Sequence, residues 1–284
     1  VYKRQEKNNA IVTVADGDEP VAALDLYNFA KELSFDVISI GKGKNNPFNT
    51  FATPSSLTKE ASLKQMNPKM LTSFVDGTKT MVEMAALANF LGFNIDIDGM
   101  HGIEATYENI NQFYIPKKDG GLLDESQVVD FAFGIAPGVF AVIYSEDDYV
   151  NYEMEYLKMG KGPYWTLARP YHLTSLEIPR TIRHIMLEKY SKLSAQSWNV
   201  EVVAHAKQDI EPGTNLGSIG GDYIYGKAQK TSSSKGLLPI GIAEDNVVTK
   251  AIAKGNPIAI DEVDAQDNEL CEYWDYQNQI LDSD

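Results

Sequence analysis

The N-terminal region combines short apolar runs with a stretch of helical periodicity. Residues 10–15 (Ala-Ile-Val-Thr-Val-Ala) and 36–40 (Asp-Val-Ile-Ser-Ile) are rich in β-branched side chains, which predicts two buried strands. Between positions 24 and 33, apolar residues recur at the spacing of a helix. A strand, a helix and a second strand in this order predict a βαβ unit, whose two strands lie parallel in one sheet.

The same pattern predicts further helices and a further strand in the central region. The clearest helix covers residues 77–90, which are rich in Met, Ala, Leu and Glu, with Asp76 as its N-cap and Gly92 after its end. The remaining predicted elements are a strand over 140–144, a helix over 146–158 and a helix over 179–192 with Pro179 in its first turn.

From residue 201 onward the pattern changes to short strands separated by glycine turns. Residues 202–213 and 247–255 resemble each other, because each has a strand-like run followed by a basic residue, an isoleucine and a glycine. We therefore predict a small β-rich module with internal pseudo-symmetry, which begins near residues 194–199.

Composition narrows the functional classes. The formal net charge is −15, which excludes non-specific nucleic-acid binding, because that binding depends on Lys and Arg neutralising phosphates. A local basic pocket for a small anionic substrate remains compatible with this charge. The single cysteine, Cys271, fits a reducing cytoplasm. The longest nearly uncharged apolar stretch, 132–144, is too short to span a bilayer as a helix, so we expect a cytoplasmic protein without membrane contact.

Five sequence blocks occur in a characteristic order. They are Ala-Asp-Gly-Asp-Glu-Pro at 15–20, Gly-Lys-Gly-Lys-Asn at 41–45, Pro-Lys-Met-Leu-Thr-Ser-Phe-Val-Asp-Gly-Thr-Lys at 68–79, Arg-Pro-Tyr-His-Leu-Thr-Ser-Leu-Glu at 169–177 and Ala-Lys-Gln-Asp-Ile-Glu-Pro-Gly at 206–213. This order resembles one enzyme family, the homoserine-dehydrogenase-like oxidoreductases with a C-terminal SAF domain. The family includes the 1-deoxy-D-xylulose 5-phosphate reductoisomerase-like enzymes.

The resemblance implies an α/β protein in three parts. Residues 1–45 would be the trailing part of an NAD(P)-binding Rossmann-type parallel sheet, 46–198 a central α+β catalytic domain, and 199–284 a SAF-like β domain. Family members carry a glycine-rich dinucleotide loop, yet no Gly-x-Gly-x-x-Gly follows any predicted strand of this chain. The resemblance further implies NAD or NADP as the cofactor, admits a divalent metal ion, and leads us to expect a homo-oligomer.

The loops after the two predicted N-terminal strands are the expected cofactor and proton-transfer sites, because functional loops lie at the C-terminal ends of parallel strands. We assign cofactor binding to Asp16, Gly17, Asp18 and Gly41. Lys42 and Lys44 would donate a proton to a substrate oxygen or clamp an anion, the alternative being two solvated lysines in a glycine loop. The resemblance favours the catalytic role, since it places a lysine at this point beside the nicotinamide.

Four polar residues on the helix near 77–90 share one face. Asp76, Lys79, Thr80 and Glu83 are three, four and seven positions apart, and could form a charged wall of a substrate cleft. The alternative is an N-cap at Asp76 followed by exposed surface pairs, so Lys79 and Glu83 are the stronger substrate-binding candidates.

Arg169, His172 and Glu177 form the most informative polar cluster. Arg169 suits an anionic group, His172 can transfer a proton, and Glu177 can orient the histidine or bind a metal. A capping box from Thr174 to Glu177 is the alternative, but it would put Pro179 inside the helix, where its missing N–H costs a hydrogen bond. His101 is a further candidate for acid–base chemistry or substrate binding.

Together these residues predict an NAD(P)H-dependent oxidoreductase acting on a small anionic hydroxy-carbonyl compound. Lys42 or Lys44 with His172 would manage the proton, and Arg169 with Lys79 would hold the anionic end. Reductoisomerase chemistry on a deoxy-sugar phosphate is the sharpest version. The alternative is a non-enzymatic small-molecule-binding or regulatory protein that uses the cleft and the SAF-like domain. Scattered Asp and Glu define no metal shell from sequence, so the metal ligands stay unknown.

Overall fold

The computed structural model describes residues 10–189, 191–264 and 269–281. The chain forms two compact units. The first unit consists of residues up to Asn45 together with Glu83–Val200, and the second consists of Asn46–Val82 together with the chain from Glu201 onward. The predicted division into residues 1–45, 46–198 and 199–284 concerns evolutionary domains, and it stays a prediction.

A five-stranded mixed sheet forms the centre of the first unit. Its strands are β1 (Asp36–Lys44), β2 (Ile103–Glu104), β3 (Val128–Phe133), β4 (Val139–Tyr144) and β5 (Tyr164–Arg169), in the spatial order β2-β3-β1-β4-β5. The pairings of β3 with β1 and β2 are parallel, whereas β4 pairs antiparallel with β1 and β5. Four of the five strands consequently run in the same direction.

The predicted strand over residues 10–15 is wrong. These residues form no strand, and Ile11 and Val12 are 37% and 55% exposed, so the apolar run lacks the burial that a central strand needs. The parallel neighbour of β1 is instead β3, whose sequence lies about 90 positions further along the chain. The predicted βαβ unit is therefore replaced by a long-range pairing, and the Rossmann-type assignment remains a prediction.

Helix α1 (Glu19–Glu32) covers one face of the sheet. It begins after Asp18 with Pro20 in its first turn, where a missing N–H does no harm, and its buried side includes Val21, Ala22 and Leu24. The opposite face of the sheet packs against a cluster that contains Ile110, Tyr114, Leu123 and Phe140. Burying each large apolar side chain contributes about 1.5–3 kcal/mol, so this two-sided core holds β1 in place.

Gly41 of β1 is required by close packing inside the sheet. A Cβ atom at this position would lie 1.7 Å from the Asp130 carbonyl oxygen and 3.0 Å from the Phe140 ring. This approach fixes the course of the backbone immediately before Lys42.

The three central helix predictions are confirmed, with shifts at the ends. The helices are α4 (Thr78–Leu91), α5 (Asp148–Tyr156) and α6 (Ile178–Glu188). Helix α6 ends before the predicted residue 192, because Lys189 adopts a left-handed conformation with φ of 55°. The strand predicted over 140–144 is also confirmed as β4.

The second unit contains α2 (Thr58–Leu63), α3 (Pro68–Val75) and the start of α4, which crosses the division between the units after Val82. From its C-terminal part come β7 (Ile224–Lys230), β8 (Val247–Val248), β9 (Val263–Asp264) and α7 (Glu269–Leu281). Strand β6 (Val200–Ala206) pairs with β7, and β8 pairs antiparallel with β9.

The two sequence segments that resemble each other pair in the second unit. The Ile210 amide donates to the Ile252 carbonyl at 2.8 Å, and the Ile252 amide returns a hydrogen bond at 2.9 Å. The corresponding isoleucines of the two segments are thus partners, as pseudo-symmetry requires. The likeness to a SAF domain stays a resemblance.

Candidate active site

Four side chains of the first unit meet near the C-terminal end of β1. Lys42 comes from β1, Glu19 from the first residue of α1, Glu83 from the second turn of α4, and His172 from the segment after β5. We call this group the lysine–carboxylate centre. Every second residue of a strand points to the same face, so Lys44 has the same direction as Lys42, and it too is buried, at 5% exposure.

The ammonium group of Lys42 lies between two carboxylates. Its Nζ donates to Glu19 Oε1 at 2.9 Å and to Glu83 Oε2. The lysine is only 4% exposed, so these two carboxylates, and not water, stabilise its positive charge. Two carboxylates against one ammonium leave the centre with excess negative charge.

His172 is oriented by a backbone carbonyl. Its Nδ1 lies 2.9 Å from the Gly17 carbonyl oxygen, which only accepts hydrogen bonds, so Nδ1 carries the proton. The opposite ring nitrogen, Nε2, then faces Glu19 Oε1 at 3.6 Å. Gly17 has a φ of 86°, and a Cβ there would lie 2.6 Å from the Thr174 carbonyl oxygen, so only glycine permits this approach.

Three carboxylates of this region fit a divalent cation by their chemistry. One oxygen from each of Asp18, Glu19 and Glu83 lies within 4.8 Å of the others. Carboxylate oxygens are the donors that Mg²⁺ and Mn²⁺ prefer. With Lys42 these groups carry a formal net charge of −2, which a divalent ion would balance.

A second group of charged residues lies beside the lysine–carboxylate centre, and we call it the arginine–carboxylate network. Asp16 is fully buried, and Lys192 Nζ donates to its Oδ1 at 2.7 Å while Thr181 donates to its Oδ2 at 3.0 Å. Arg180 binds Asp25 at 3.0 Å and Glu177 at 2.7 Å.

Glu177 holds the segment after β5 in place through this network. Its Oε1 accepts hydrogen bonds from Arg169 and from the Leu173 amide, while its Oε2 is bound by Arg180. Three carboxylates, those of Asp16, Asp25 and Glu177, thereby face the three cations of Arg169, Arg180 and Lys192. The predicted pairing of Glu177 with His172 does not form, and Glu177 instead fixes the backbone one residue beyond the histidine.

Both buried carboxyls of the network are held in the ionised form. Burial opposes ionisation of Asp16, but hydrogen bonds from Lys192 and Thr181 outweigh it and keep the pKa of Asp16 below its usual range. Burial likewise opposes ionisation of Glu177, yet the bonds from Arg180, the Leu173 amide and Arg169 lower its pKa.

His101 lies in a separate polar cluster. Its Nε2 is 2.8 Å from Asp96 Oδ2, and its amide donates to the carboxylate of Asp130 at 2.9 Å. Asp130 also accepts a hydrogen bond from the Tyr114 hydroxyl at 3.0 Å, and burial raises the pKa of the Asp130 carboxyl. Within the described residues no hydrogen bond or ion pair joins His101 to Lys42.

Asp76 and Lys79 belong to the second unit. Asp76 Oδ1 accepts the Thr78 amide at 2.8 Å, the contact of a helix cap, and its Oδ2 lies 2.8 Å from Lys207 Nζ in a buried ion pair. The pair is not aligned as a hydrogen bond, and burial lowers the pKa of Lys207 against the pull of Asp76. Lys79 Nζ lies 5.5 Å from the centre of the Phe74 ring. The sequence pattern did not single out Lys207.

The residues assigned to cofactor binding make no phosphate cradle. Asp16 is enclosed by Lys192 and Thr181, Gly17 packs against Thr174, and Gly41 lies inside the sheet. Asp18 has the metal-ligand geometry described above. The geometry of these four residues therefore does not identify a dinucleotide-binding site, and their role in cofactor binding stays a prediction.

Two cavities of the first unit lie away from Lys42. One, of about 580 Å³, lies beside the arginine–carboxylate network and is lined by Asp25, Phe29, Arg180 and Lys192 among others. The other, of about 460 Å³, lies at the opposite end of β1, around Asp36 and Tyr144. We place the candidate active site at Lys42 despite these cavities, because the excess charge and the oriented histidine are there.

Glu19 is the site residue that sequence reasoning missed. It follows Asp18 in the block at 15–20, whose Asp, Gly, Glu and Pro residues are typical of a loop that leads into a helix. Acidic residues are common in the first turn of helices because they face the positive end of the helix dipole, so nothing in the pattern distinguished Glu19 from an ordinary helix start.

The buried lysine that is bound by two carboxylates, beside an oriented histidine at a strand end, makes this group the candidate active site. The family comparison agrees. A family model described as the catalytic domain of oxidoreductase DRL matches residues 17–178, more than half of the chain, and the chain belongs to this family. The matched range contains all four residues of the lysine–carboxylate centre. No curated protein gives a significant match to the chain. Over the described residues, no helix is long and apolar enough to cross a membrane.

Proposed function

We propose that this oxidoreductase reduces the carbonyl group of a small anionic hydroxy-carbonyl compound at the lysine–carboxylate centre. A reductoisomerase-like reaction on a deoxy-sugar phosphate is the sharpest form of this proposal. The observation that carries it is the buried Lys42 ammonium group between Glu19 and Glu83, within the residues that match an oxidoreductase catalytic domain. NADH or NADPH would supply the hydride.

Lys42 is the proton donor in this proposal. As hydride reaches the carbonyl carbon, negative charge develops on the carbonyl oxygen, and an ammonium group at hydrogen-bond distance stabilises that charge and transfers a proton to it. Glu19 and Glu83 hold the Lys42 ammonium group in a fixed position, so the donor is already oriented when the substrate arrives.

His172 restores the proton of Lys42 by way of Glu19. The Gly17 carbonyl fixes the proton on Nδ1, which leaves Nε2 facing Glu19 Oε1, and that same oxygen accepts the hydrogen bond from Lys42. The histidine side chain is 15% exposed and so reaches solvent more readily than the lysine. The relay uses the imidazolium form of His172, which carries a second proton on Nε2: that proton passes to Glu19 and then to Lys42 Nζ, and solvent returns a proton to Nε2.

Asp18, Glu19 and Glu83 would hold the divalent ion that the family resemblance admits, and the ion would polarise the oxygen atoms of the substrate. The anionic end of the substrate needs a cation. Arg169, our sequence-based choice, is bound by Glu177 and lies over the Tyr171 ring at 5.1 Å, so a substrate would have to share it.

The decisive experiment measures NADPH and NADH oxidation by the whole enzyme with 1-deoxy-D-xylulose 5-phosphate and related hydroxy-carbonyl phosphates, with and without Mg²⁺ or Mn²⁺. We expect turnover with at least one of these substrates. In the Lys42→Met variant, kcat should fall about 10³-fold, within the range for loss of a general acid.

Lys64→Met is the matched control, because Lys64 is an exposed lysine paired with Glu60 in α2, and its turnover should match that of the wild type. Each rate is normalised to the folded fraction by circular dichroism. Full turnover in Lys42→Met would refute the assignment of Lys42, and no nicotinamide oxidation with any of the substrates would refute carbonyl reduction.

A further inference from the structure

The cavity at the amino end of β1 is independent of the lysine–carboxylate centre. It is lined by Tyr27 and Lys31 of α1, by Asp36 at the start of β1, and by Tyr144 and Tyr164 of the neighbouring strands. We call it the tyrosine cavity. Asp36 precedes Lys42 by six strand residues, a separation of about 20 Å at the usual rise per residue. The volume of about 460 Å³ lies in the range of small-molecule sites.

One wall of the tyrosine cavity presents hydrogen-bond acceptors. The Tyr144 hydroxyl donates to Glu146 Oε1 at 2.5 Å, and the Tyr164 hydroxyl donates to Asp119 Oδ2 at 2.7 Å. The hydrogen bond with Glu146, together with burial, raises the pKa of Tyr144 to about 12. Because both hydroxyl protons are already committed to carboxylates, this wall offers oxygen lone pairs and negative charge, which suit an ammonium group.

Two lysines are the cationic groups of the cavity. Lys31 and Lys118 both line it, and in the described part of the chain neither side chain makes a hydrogen bond or an ion pair. The adjacent Lys117 differs, because it binds Asp124 at 2.6 Å and does not line the cavity. Two unpaired ammonium groups in one cavity suit a carboxylate.

Aromatic side chains also line the tyrosine cavity. The Tyr27 ring meets Phe93 edge to face at 5.8 Å, and the Tyr144 and Tyr164 rings lie 4.9 Å apart. Aromatic rings attract both flat apolar groups and cations. With Asp36 and Glu146 against Lys31 and Lys118, the titratable lining carries two negative and two positive charges.

We propose that the tyrosine cavity is a binding site for a zwitterionic amino acid with an aromatic or large apolar side chain. The ammonium group of the ligand lies at the Tyr144, Tyr164 and Glu146 wall, and its carboxylate lies between Lys31 and Lys118. The site requires nothing from the oxidoreductase reaction.

Isothermal titration calorimetry on the whole chain tests this proposal with three probes of one shape. L-phenylalanine carries both charges, phenethylamine carries only the ammonium group, and 3-phenylpropanoate carries only the carboxylate. L-phenylalanine should bind at least 10-fold more tightly than either of the other two. Equal binding of phenethylamine, or no heat from L-phenylalanine at millimolar concentration, would overturn the proposal.

Variants then locate the site. The double variant Lys31→Met and Lys118→Met should weaken L-phenylalanine binding at least 10-fold and leave phenethylamine binding unchanged, whereas Glu146→Gln should weaken both. These side chains are exposed, so folding should be retained, and thermal melts check it. Lys117→Met is the matched control, and an equal loss of L-phenylalanine binding in that variant contradicts the assignment.

Discussion

The lysine–carboxylate centre and the arginine–carboxylate network lie only a few residues apart, yet their charges are arranged differently. Asp16 belongs to the network and Glu19 to the centre, and these two residues are only three positions apart in the sequence. In the network, three carboxylates face three cations. In the centre, Glu19 and Glu83 bind the single ammonium group of Lys42, and the carboxylate of Asp18 lies within 4.8 Å of theirs, so these four side chains carry a formal net charge of −2.

The difference suits the two groups to different roles: the network stabilises the fold, and the centre carries out chemistry. A balanced set of buried charges holds segments together, because removal of any one member leaves an unpaired charge. An unbalanced set has charge to offer a ligand, a proton or a cation. We therefore expect changes in the network to affect stability, and changes in the centre to affect turnover.

The largest effect on stability should come from Asp16→Asn. This change removes the nearer carboxylate partner of the buried Lys192, at 2.7 Å, and leaves only Asp25 at 3.8 Å, so we expect a loss of about 3–5 kcal/mol in the free energy of unfolding, measured with urea. Asp124→Asn removes an exposed ion pair with Lys117 and serves as the control, with an expected loss below about 1 kcal/mol. Equal losses in the two variants would remove the distinction between buried and exposed pairs.

A matched pair of glutamates compares the two groups directly. Glu83→Gln should lower kcat about 10²-fold and change the free energy of unfolding by less than about 1 kcal/mol, since Lys42 keeps Glu19. Glu177→Gln should instead lower the free energy of unfolding strongly and lower kcat only slightly, because two guanidinium groups lose their shared carboxylate. The same kinetic and unfolding profile for both variants would break the comparison.

His172→Ala should lower kcat by about 10- to 100-fold, a smaller loss than for Lys42→Met, because the histidine acts through Glu19. Added imidazole should restore part of the rate by supplying the missing proton carrier. A merely structural role for the histidine predicts no rescue, so a flat response to imidazole at saturating substrate would contradict the relay.

The smallest expected effect is on the pH dependence of stability. Asp16 and Glu177 have lowered pKa values in the folded protein, so their contribution is complete above the unfolded values, near pH 4, and is lost as the pH falls through the folded values. Urea unfolding between pH 6 and pH 3 should show this loss in the wild type. The slope should be shallower in Asp16→Asn, and an unchanged slope would assign the acid sensitivity to other groups.

The sequence predicted helices and strands correctly where neighbouring residues decide the local structure. The helix over 77–90, the strand that became β1, and the first-turn position of Pro179 all follow from periodicity and capping. Residues 10–15 failed because strand formation needs a partner, and β1 found its partners in β3 and β4. A β-branched run carries no information about which distant segment will pair with it.

The sequence by itself determined that the chain is acidic, that it contains both helices and strands, and that Lys42 comes shortly after the apolar run at 37–40. Only the tertiary structure decided that Lys42 meets Glu19, Glu83 and His172, and that Glu177 holds two arginines instead of the histidine. The physical reason is distance along the chain. Apart from Arg180, which lies three positions after Glu177, these partners are separated by between 8 and about 150 residues. Side-chain contacts over such separations depend on how the sheet and helices pack.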